Sequence, residues 1–194
     1  MNKGFTLIEI TIAIGIISGI ILIMTMFGID IFDFGIFLGE NLSSQREIQL
    51  TLRVMSSEIR SMAPSANGSY AIESISQNSL TFYSDTDGDG LTERIRYFLD
   101  GNILKKGVIR PTGNPLVYSS ADERISEQVH YIFSGTGDIF SYYDSSYSGS
   151  EPALAFPVSI SAVRLIKANI TSDQNPVDSK ARVNYSASVN IRNI

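Results

Sequence analysis

The first thirty residues combine a short polar leader with a long apolar segment. Residues 5–29 are predominantly apolar and carry a single charge, Glu9. As a helix, this segment would be about 37 Å long at 1.5 Å per residue, which exceeds the roughly 30 Å hydrocarbon core of a bilayer. A carboxylate inside a membrane helix costs roughly 2.5–3.5 kcal/mol. The pattern therefore predicts a membrane-spanning helix in which Glu9 requires a partner.

Two simpler interpretations of this segment explain less. A cleaved secretory signal has an apolar region of roughly 7–15 residues and ends in a small-x-small site, whereas positions 24, 26, 27 and 31 are bulky here. A plain membrane anchor has the right length but gives no reason for Glu9. Lys3 precedes the segment, while Asp30 and Asp33 follow it. Because positive charge favours the cytoplasmic side, the single lysine favours an orientation in which everything after position 29 lies outside the cytoplasmic membrane.

A second helical pattern precedes Pro64. Apolar residues recur there at spacings of four and three, namely Ile48, Leu52, Met55, Ile59 and Met62. This spacing places them on one face of a helix, and Pro64 ends that helix. The sequence thus predicts one helix from Phe5 to about Met62, whose residues 30–62 pack on the domain that follows. Glycines at 28, 35 and 39 are interpreted either as a flexible joint or as sites of close packing.

Beyond Pro64 the pattern changes to short apolar and β-branched runs separated by turn residues, which is typical of antiparallel strands. The predicted strands are Tyr70–Ser76, Ser79–Ser84, Glu93–Asp100, Ile103–Gly107, Glu127–Ser134, Pro157–Ile170 and Ala181–Arg192. A tight hairpin is expected at Asp100-Gly101-Asn102. The predicted fold class is therefore α+β, with a long N-terminal helix packed on a mainly antiparallel β-sheet head formed by residues 65–194.

One stretch of the predicted head lacks a regular pattern. Residues 135–152 are rich in Ser, Gly and Asp and contain Tyr142, Tyr143 and Tyr147. We interpret the stretch as an irregular exposed loop. Its tyrosines are either an adhesive aromatic patch or loop side chains that fold back onto the head.

Composition argues against several functional classes. The chain of 194 residues contains no cysteine, which excludes disulfides and thiol chemistry, and its one histidine, His130, cannot form a histidine-rich metal site. The net charge is −5, and no basic cluster exceeds Lys105–Lys106. Because phosphate binding requires clustered Lys and Arg, no nucleic-acid partner is expected. Catalytic motifs such as the nucleophile elbow or the P-loop do not occur, so no enzymatic activity is predicted.

Residues 85–93, with the sequence DTDGDGLTE, form an acidic turn with the spacing of a calcium loop. Asp85, Asp87, Asp89 and Glu93 hold positions 1, 3, 5 and 9 of such a loop, and a glycine holds position 6. Position 12 falls on Arg96 and both flanks are predicted strands, which excludes a true EF-hand. The run is either a calcium-binding hairpin loop, with calcium as cofactor, or a solvated turn in which Asp and Gly supply the geometry.

The N-terminus resembles a known signal. Gly4-Phe5-Thr6-Leu7-Ile8-Glu9, after a short leader with a lysine, is similar to the class III signal of type IV pilins and type II secretion pseudopilins. The resemblance implies that residues 1–4 are a leader cut after Gly4 by a prepilin peptidase. It also implies that Phe5 becomes an N-methylated terminus and that Glu9 pairs with the terminal ammonium of a neighbouring subunit. Residues 5–29 would then form a filament core, and the fold would have the lollipop shape of the family.

A second resemblance concerns the head. Leu80–Tyr83, the acidic turn, Arg94–Leu99 and Asp100–Leu104 are similar to the minor pseudopilin J and the W-type minor pilins, as is the ending Val189–Asn193. It implies a minor subunit that initiates or caps a filament together with other pilin subunits. The alternatives are a major pilin of the filament shaft and a calcium-dependent adhesion module on a plain membrane anchor.

Overall fold

The computed structural model describes residues 4, 6–133, 135, 137–172 and 182–191. Its elements are one long helix and eight strands, and the chain divides into two compact units, Met1–Ser43 and Ser44–Ile194. The helix α1 comprises Leu7–Arg60. The strands are β1 (Ile72–Ile75), β2 (Ser79–Ser84), β3 (Glu93–Asp100), β4 (Ile103–Ile109), β5 (Arg124–Val129), β6 (Phe140–Tyr143), β7 (Leu165–Ser172) and β8 (Val183–Asn190). The predicted α+β class is confirmed.

Two antiparallel sheets make up the β part of the second unit. Strands β1 to β5 form a meander in chain order, and β6, β7 and β8 form a second sheet in the order β6-β7-β8. The β3–β4 hairpin closes with a two-residue loop, since Asp100 pairs with Ile103. Gly101 has φ of 63° at the first loop position, a value that a glycine adopts without a Cβ clash.

The core of the second unit lies between the last turns of α1 and both sheets. All five residues of the predicted stripe are buried, namely Ile48, Leu52, Met55, Ile59 and Met62. They join one hydrophobic cluster with inward-facing residues such as Phe82 and Tyr97 from the first sheet and Ile166 from the second. The sequence prediction that this face packs on the β domain is therefore confirmed.

The helix passes through the glycine-containing region without a break. Residues 28, 35 and 39 are all helical, and a Cβ added at Gly28 or Gly35 would meet nothing within 4 Å. The described residues therefore provide no close-packed neighbour at these two positions. Phe5, the predicted first residue of the helix, lies outside the described residues.

Two strand predictions differ most from the structure in their bounds. The predicted strand Glu127–Ser134 is replaced by β5, which ends at Val129, because Tyr131 has φ of 57° and interrupts the extended run. The predicted strand Pro157–Ile170 begins only at Leu165. A single turn of 3-10 helix at Ile160–Ala162 precedes it, because the partner strand β6 is short and its ladder ends at the Tyr143–Leu165 pair.

The predicted loop 135–152 contains β6, and this correction has a clear physical cause. Phe140 and Tyr142 are fully buried on one face of this strand, and the Tyr142 hydroxyl donates to the Ser76 carbonyl at 2.9 Å. Phe140 and Tyr142 alternate as in a strand, but the many Ser, Gly and Asp residues around them make this short pattern hard to recognise in the sequence. Tyr142 thus folds onto the head, and Tyr143 packs its ring 4.2 Å from that of Tyr147.

Candidate functional site

The first candidate site is the apolar part of α1. Leu7–Phe32 has a mean hydropathy of 2.6, is long enough to cross a membrane, and buries none of its residues within the chain. Gly4, at the predicted cleavage site, is exposed and has open space around it. The neighbouring Phe5 lies outside the described residues, so its predicted role stays a prediction.

Glu9 caps the start of this helix. The Thr6 backbone N–H and hydroxyl both donate to Glu9 Oε2, at 2.8 and 2.9 Å, and the Glu9 N–H donates back to Thr6 Oγ1 at 3.4 Å. This reciprocal arrangement is the capping box, which follows a Thr-x-x-Glu pattern. The capping box was not predicted, although its pattern is visible in Thr6-Leu7-Ile8-Glu9. Capping gives Glu9 a role within the chain but leaves its charge without an ion pair among the described residues.

The second candidate site is the acidic loop between β2 and β3. One carboxylate oxygen from each of Asp85, Asp87 and Asp89 lies within 4.8 Å of the others. The same carboxylates also shape the loop. Asp85 accepts from the N–H groups of Gly88 and Gly90 at 2.7 and 3.1 Å, and the glycines there have φ of 76° and 89°. The geometry can serve either of the two interpretations of this run.

Two contacts complicate a cation site at this loop. The Arg110 guanidinium donates to Asp87 Oδ2 at 2.6 Å, so one carboxylate already has a positive partner. Glu93 is buried and lies outside the group of three, because its Oε2 accepts from the Thr86 N–H and hydroxyl at 2.9 and 2.7 Å. The structure thus brings together three of the four predicted ligands and uses the fourth to close the base of the loop. Calcium binding stays a prediction.

A buried polar network was not predicted. Glu58 lies on α1 beside the apolar stripe and is almost fully buried. The Tyr97 hydroxyl of β3 donates to it at 2.7 Å, and the Lys106 ammonium of β4 forms an ion pair with it. Burial and the neighbouring carboxylate raise the pKa of Tyr97. Together these contacts fasten the last turns of α1 to the middle of the first sheet. The sign of this network in the sequence is a glutamate, Glu58, directly beside Ile59 of the apolar stripe.

The opposite face of the first sheet carries ordered ion pairs. Arg94 binds Glu73 through two donors, at 2.5 and 3.0 Å, and Arg96 binds Glu123 likewise at 2.9 and 2.7 Å. These guanidinium hydrogen bonds hold the pKa of both glutamates below the ordinary value of 4.5. His130 contacts the Glu127 carboxylate at 3.1 Å and is partly exposed. All these groups are paired on the surface, in the manner of structural salt bridges.

Comparisons with known proteins add no family to this description. No model of a known protein family matches the chain, and neither does any curated protein.

Proposed function

We propose that this chain is a minor subunit of a type IV pilus or of a type II secretion pseudopilus, of the J or W type. The observation that carries the pilin-like part of the proposal is the N-terminal segment, and the J or W type rests on the resemblance of the head. Gly4 lies three residues before helix α1, whose residues Leu7–Phe32 bury nothing within the chain, and the one carboxylate near the start of the helix is Glu9. Exposed apolar surface of this extent requires apolar surroundings. In this proposal a bilayer supplies them before assembly, and the helices of neighbouring subunits supply them afterwards.

The capping geometry supports a second role for Glu9. Both hydrogen bonds from Thr6 go to Oε2, so Oε1 retains its capacity to accept. Cleavage after Gly4 would create a new ammonium at Phe5, and a charge in hydrocarbon is tolerated when it is paired. We infer that the capping box holds the carboxylate in a fixed rotamer, with Oε1 presented to the Phe5 ammonium of an adjacent subunit.

The head supports the same proposal less directly. It is an antiparallel β domain fastened to the last turns of α1, and it would lie outside the cytoplasmic membrane in a single-pass topology. The partners would be the prepilin peptidase and other pilin or pseudopilin subunits, and the work would be initiation or capping of the filament. The alternatives are a major pilin of the shaft and a calcium-dependent adhesion module on a plain anchor.

The first test is processing. Co-expression of the full chain with a prepilin peptidase should give a mature protein whose mass corresponds to an N-methylated Phe5 start. Gly4→Ala should block the cleavage, whereas Gly15→Ala, a matched glycine change inside the helix, should leave it intact. A chain that stays uncut, or a Gly4→Ala variant that localises and functions normally, would favour the plain anchor.

The second test separates capping from charge pairing at Glu9. Glu9→Gln keeps an acceptor for the capping box but removes the charge, so cleavage should continue while assembly into filaments is lost. Thr6→Val removes one of the two donors to Glu9 Oε2 but keeps the backbone N–H donor and the carboxylate, so assembly should be weakened less than in Glu9→Gln. Filament incorporation, measured in sheared fractions, distinguishes the two. Normal incorporation of Glu9→Gln would contradict the inference that Glu9 pairs with the Phe5 ammonium of an adjacent subunit.

A third measurement separates minor from major subunits. A minor subunit should be present in far fewer copies than the protein that forms the shaft. Its deletion should lower the number of filaments and leave the composition of their shaft unchanged. If this chain forms most of the filament mass, it is a major pilin.

A further inference from the structure

Four strands lie at the edges of the two sheets, and three of them are protected. Strand β1 has four residues, contains Glu73 and has an irregular register with β2. Strand β5 carries Arg124 and Glu127, and its Gln128 carbonyl accepts from the Thr51 hydroxyl of α1. Strand β6 is covered by other segments, because Phe140 N–H donates to Gln77 O and Tyr142 O accepts from Leu154 N–H. Short length, charge, bulges and coverage are the usual protections of an edge.

Among the residues that the structure describes, strand β8 has none of these protections. It is eight residues long, with the sequence VNYSASVN, and contains neither a charge nor a proline. Its pairing with β7 is regular over all eight residues, from Leu165–Asn190 to Ser172–Val183. A long, regular, uncharged edge is a template for pairing with another strand.

The direction of the free backbone groups follows from the register. The Ile191 N–H donates to the Arg164 carbonyl at 2.9 Å, which identifies odd-numbered residues of β8 as those bonded to β7. The outward backbone groups therefore belong to the even-numbered residues Asn184, Ser186, Ser188 and Asn190. Their side chains are exposed, and none of the residues described in this structure is hydrogen-bonded to those outward groups.

The sequence of β8 is nearly the same in both directions. Around Ala187 it reads Asn-Tyr-Ser-Ala-Ser-Val-Asn, so only the Tyr185 and Val189 positions differ on reversal. In an antiparallel pair of two copies centred on Ala187, Ser186 lies opposite Ser188, and Asn184 lies opposite Asn190. These are the residues with outward backbone groups, so they form the hydrogen-bonded pairs. Polar side chains meet polar side chains, and no like charges are brought together.

We propose that β8 pairs with β8 of a second copy of this chain, about a two-fold axis at Ala187, and so joins the two three-stranded sheets into one. A two-fold interface must be self-complementary, which the palindromic strand satisfies. A groove of about 400 Å³ lies along this edge, between the Gln49–Arg60 face of α1 and residues 185–187. It leaves space on the inner face for side chains of the added strand. The inference does not depend on the proposed pilin function.

Cysteine cross-linking of the full chain in detergent tests the register, because the chain has no cysteine of its own. At a non-hydrogen-bonded pair the two Cα atoms are about 4.5 Å apart, which is within the 4.4–6.8 Å range of disulfides. Ala187→Cys should therefore give roughly tenfold more disulfide-linked dimer than Asn190→Cys, whose two copies would be about 20 Å apart in this register. Equal cross-linking of the two variants, or none, would overturn the proposal.

Charge exchange on the same strand tests the pairing itself. Ser186→Lys with Ser188→Lys puts lysine opposite lysine, so dimer measured by ultracentrifugation in detergent should be lost. Ser186→Glu with Ser188→Glu should lose it as well, and a mixture of the two variants should regain it. Both sites are exposed, and an unchanged circular dichroism spectrum would confirm that each variant is folded. Dimer that survives in the lysine variant, or a mixture that stays monomeric, would show that β8 is not the contact.

Discussion

The two ends of helix α1 both carry apolar residues, but only one end has them buried by the rest of the chain. Between residues 48 and 60 one stripe of apolar residues is buried by the β domain, with Ile59 only 1% exposed, whereas Leu50 and Val54 lie off the stripe and are exposed. Between Leu7 and Phe32 apolar residues surround the helix, and Ile16 is 59% exposed. The apolar stripe of an amphipathic helix can be buried by the rest of its own chain, whereas a helix that is apolar on all sides must be surrounded by apolar groups. The two parts of the helix therefore differ in how much of their apolar surface the chain itself buries, and not in helicity.

The glutamates of the two regions show the same contrast. Glu58 has its hydroxyl donor and its positive partner within the chain, from Tyr97 and Lys106. Glu9 has only the neutral donors of Thr6 among the described residues. A buried carboxylate is stable only when it is paired and hydrogen-bonded. Glu9 thus has no positive partner among the described residues, and an intermolecular contact would supply one.

The largest expected effect comes from removing the internal partner of Glu58. Lys106→Met should destabilise the second unit by about 3–5 kcal/mol, because it leaves a buried charge unpaired. Denaturant unfolding of the full chain in detergent, followed by tyrosine fluorescence, would measure the loss.

The matched control for this change is the double variant Glu58→Gln with Lys106→Met. It removes both charges, so it should recover most of the stability that the single variant loses. Equal losses in the two variants would mean that Glu58 does not depend on Lys106.

A pair of matched truncations tests the contrast between the two regions directly. Ile59→Ala should lower the free energy of unfolding of the second unit by about 2–5 kcal/mol, since it removes methyl groups from a closed core. Ile16→Ala makes the same chemical change at an exposed position and should leave that free energy unchanged. Denaturant unfolding of both variants checks this. A comparable loss for Ile16→Ala would contradict the division of the helix.

Much of this fold was predictable because its signals are local. The stripe before Pro64 and the strands Ser79–Ser84 and Glu93–Asp100 were predicted with the bounds that the structure has, because periodicity and turn residues act over a few neighbours. Strand β6 was missed because only two of its side chains, Phe140 and Tyr142, are buried, and their partners are distant in sequence. Predicting it would have required knowing how the sheets meet.

The candidate sites show the same limit. The three aspartates lie close together in the structure because they alternate within one loop, a pattern that is visible in the sequence. The position of Glu93 was harder to predict, because its carboxylate is held by Thr86 seven residues away. The Glu58 network joins residues 39 and 48 positions apart, a separation that pattern analysis does not cover.

Acid should weaken the second unit through its surface pairs. The pKa of Glu73 and that of Glu123 lie below the ordinary value of 4.5 because Arg94 and Arg96 donate to them. A lowered folded-state pKa contributes stability that is present above the unfolded pKa and is lost as the pH falls through the folded pKa. The melting temperature should therefore fall as the pH decreases below about 4.5. Glu73→Gln with Glu123→Gln should flatten this dependence, and parallel curves would show that other groups control it.

The smallest expected effect concerns the carboxylates of the acidic loop, which have partial partners within the chain. The calcium interpretation predicts that millimolar calcium raises the melting temperature, by an amount equivalent to about 1–3 kcal/mol if the concentration is ten to a hundred times Kd. Asp85→Asn should abolish the shift. Arg110→Ala should move the titration to lower calcium, because the guanidinium that occupies Asp87 competes with the cation. A melting temperature that does not change in either the parent chain or Arg110→Ala would establish the loop as a structural turn. Its carboxylates would then have all their partners within the chain, as the buried stripe of α1 does.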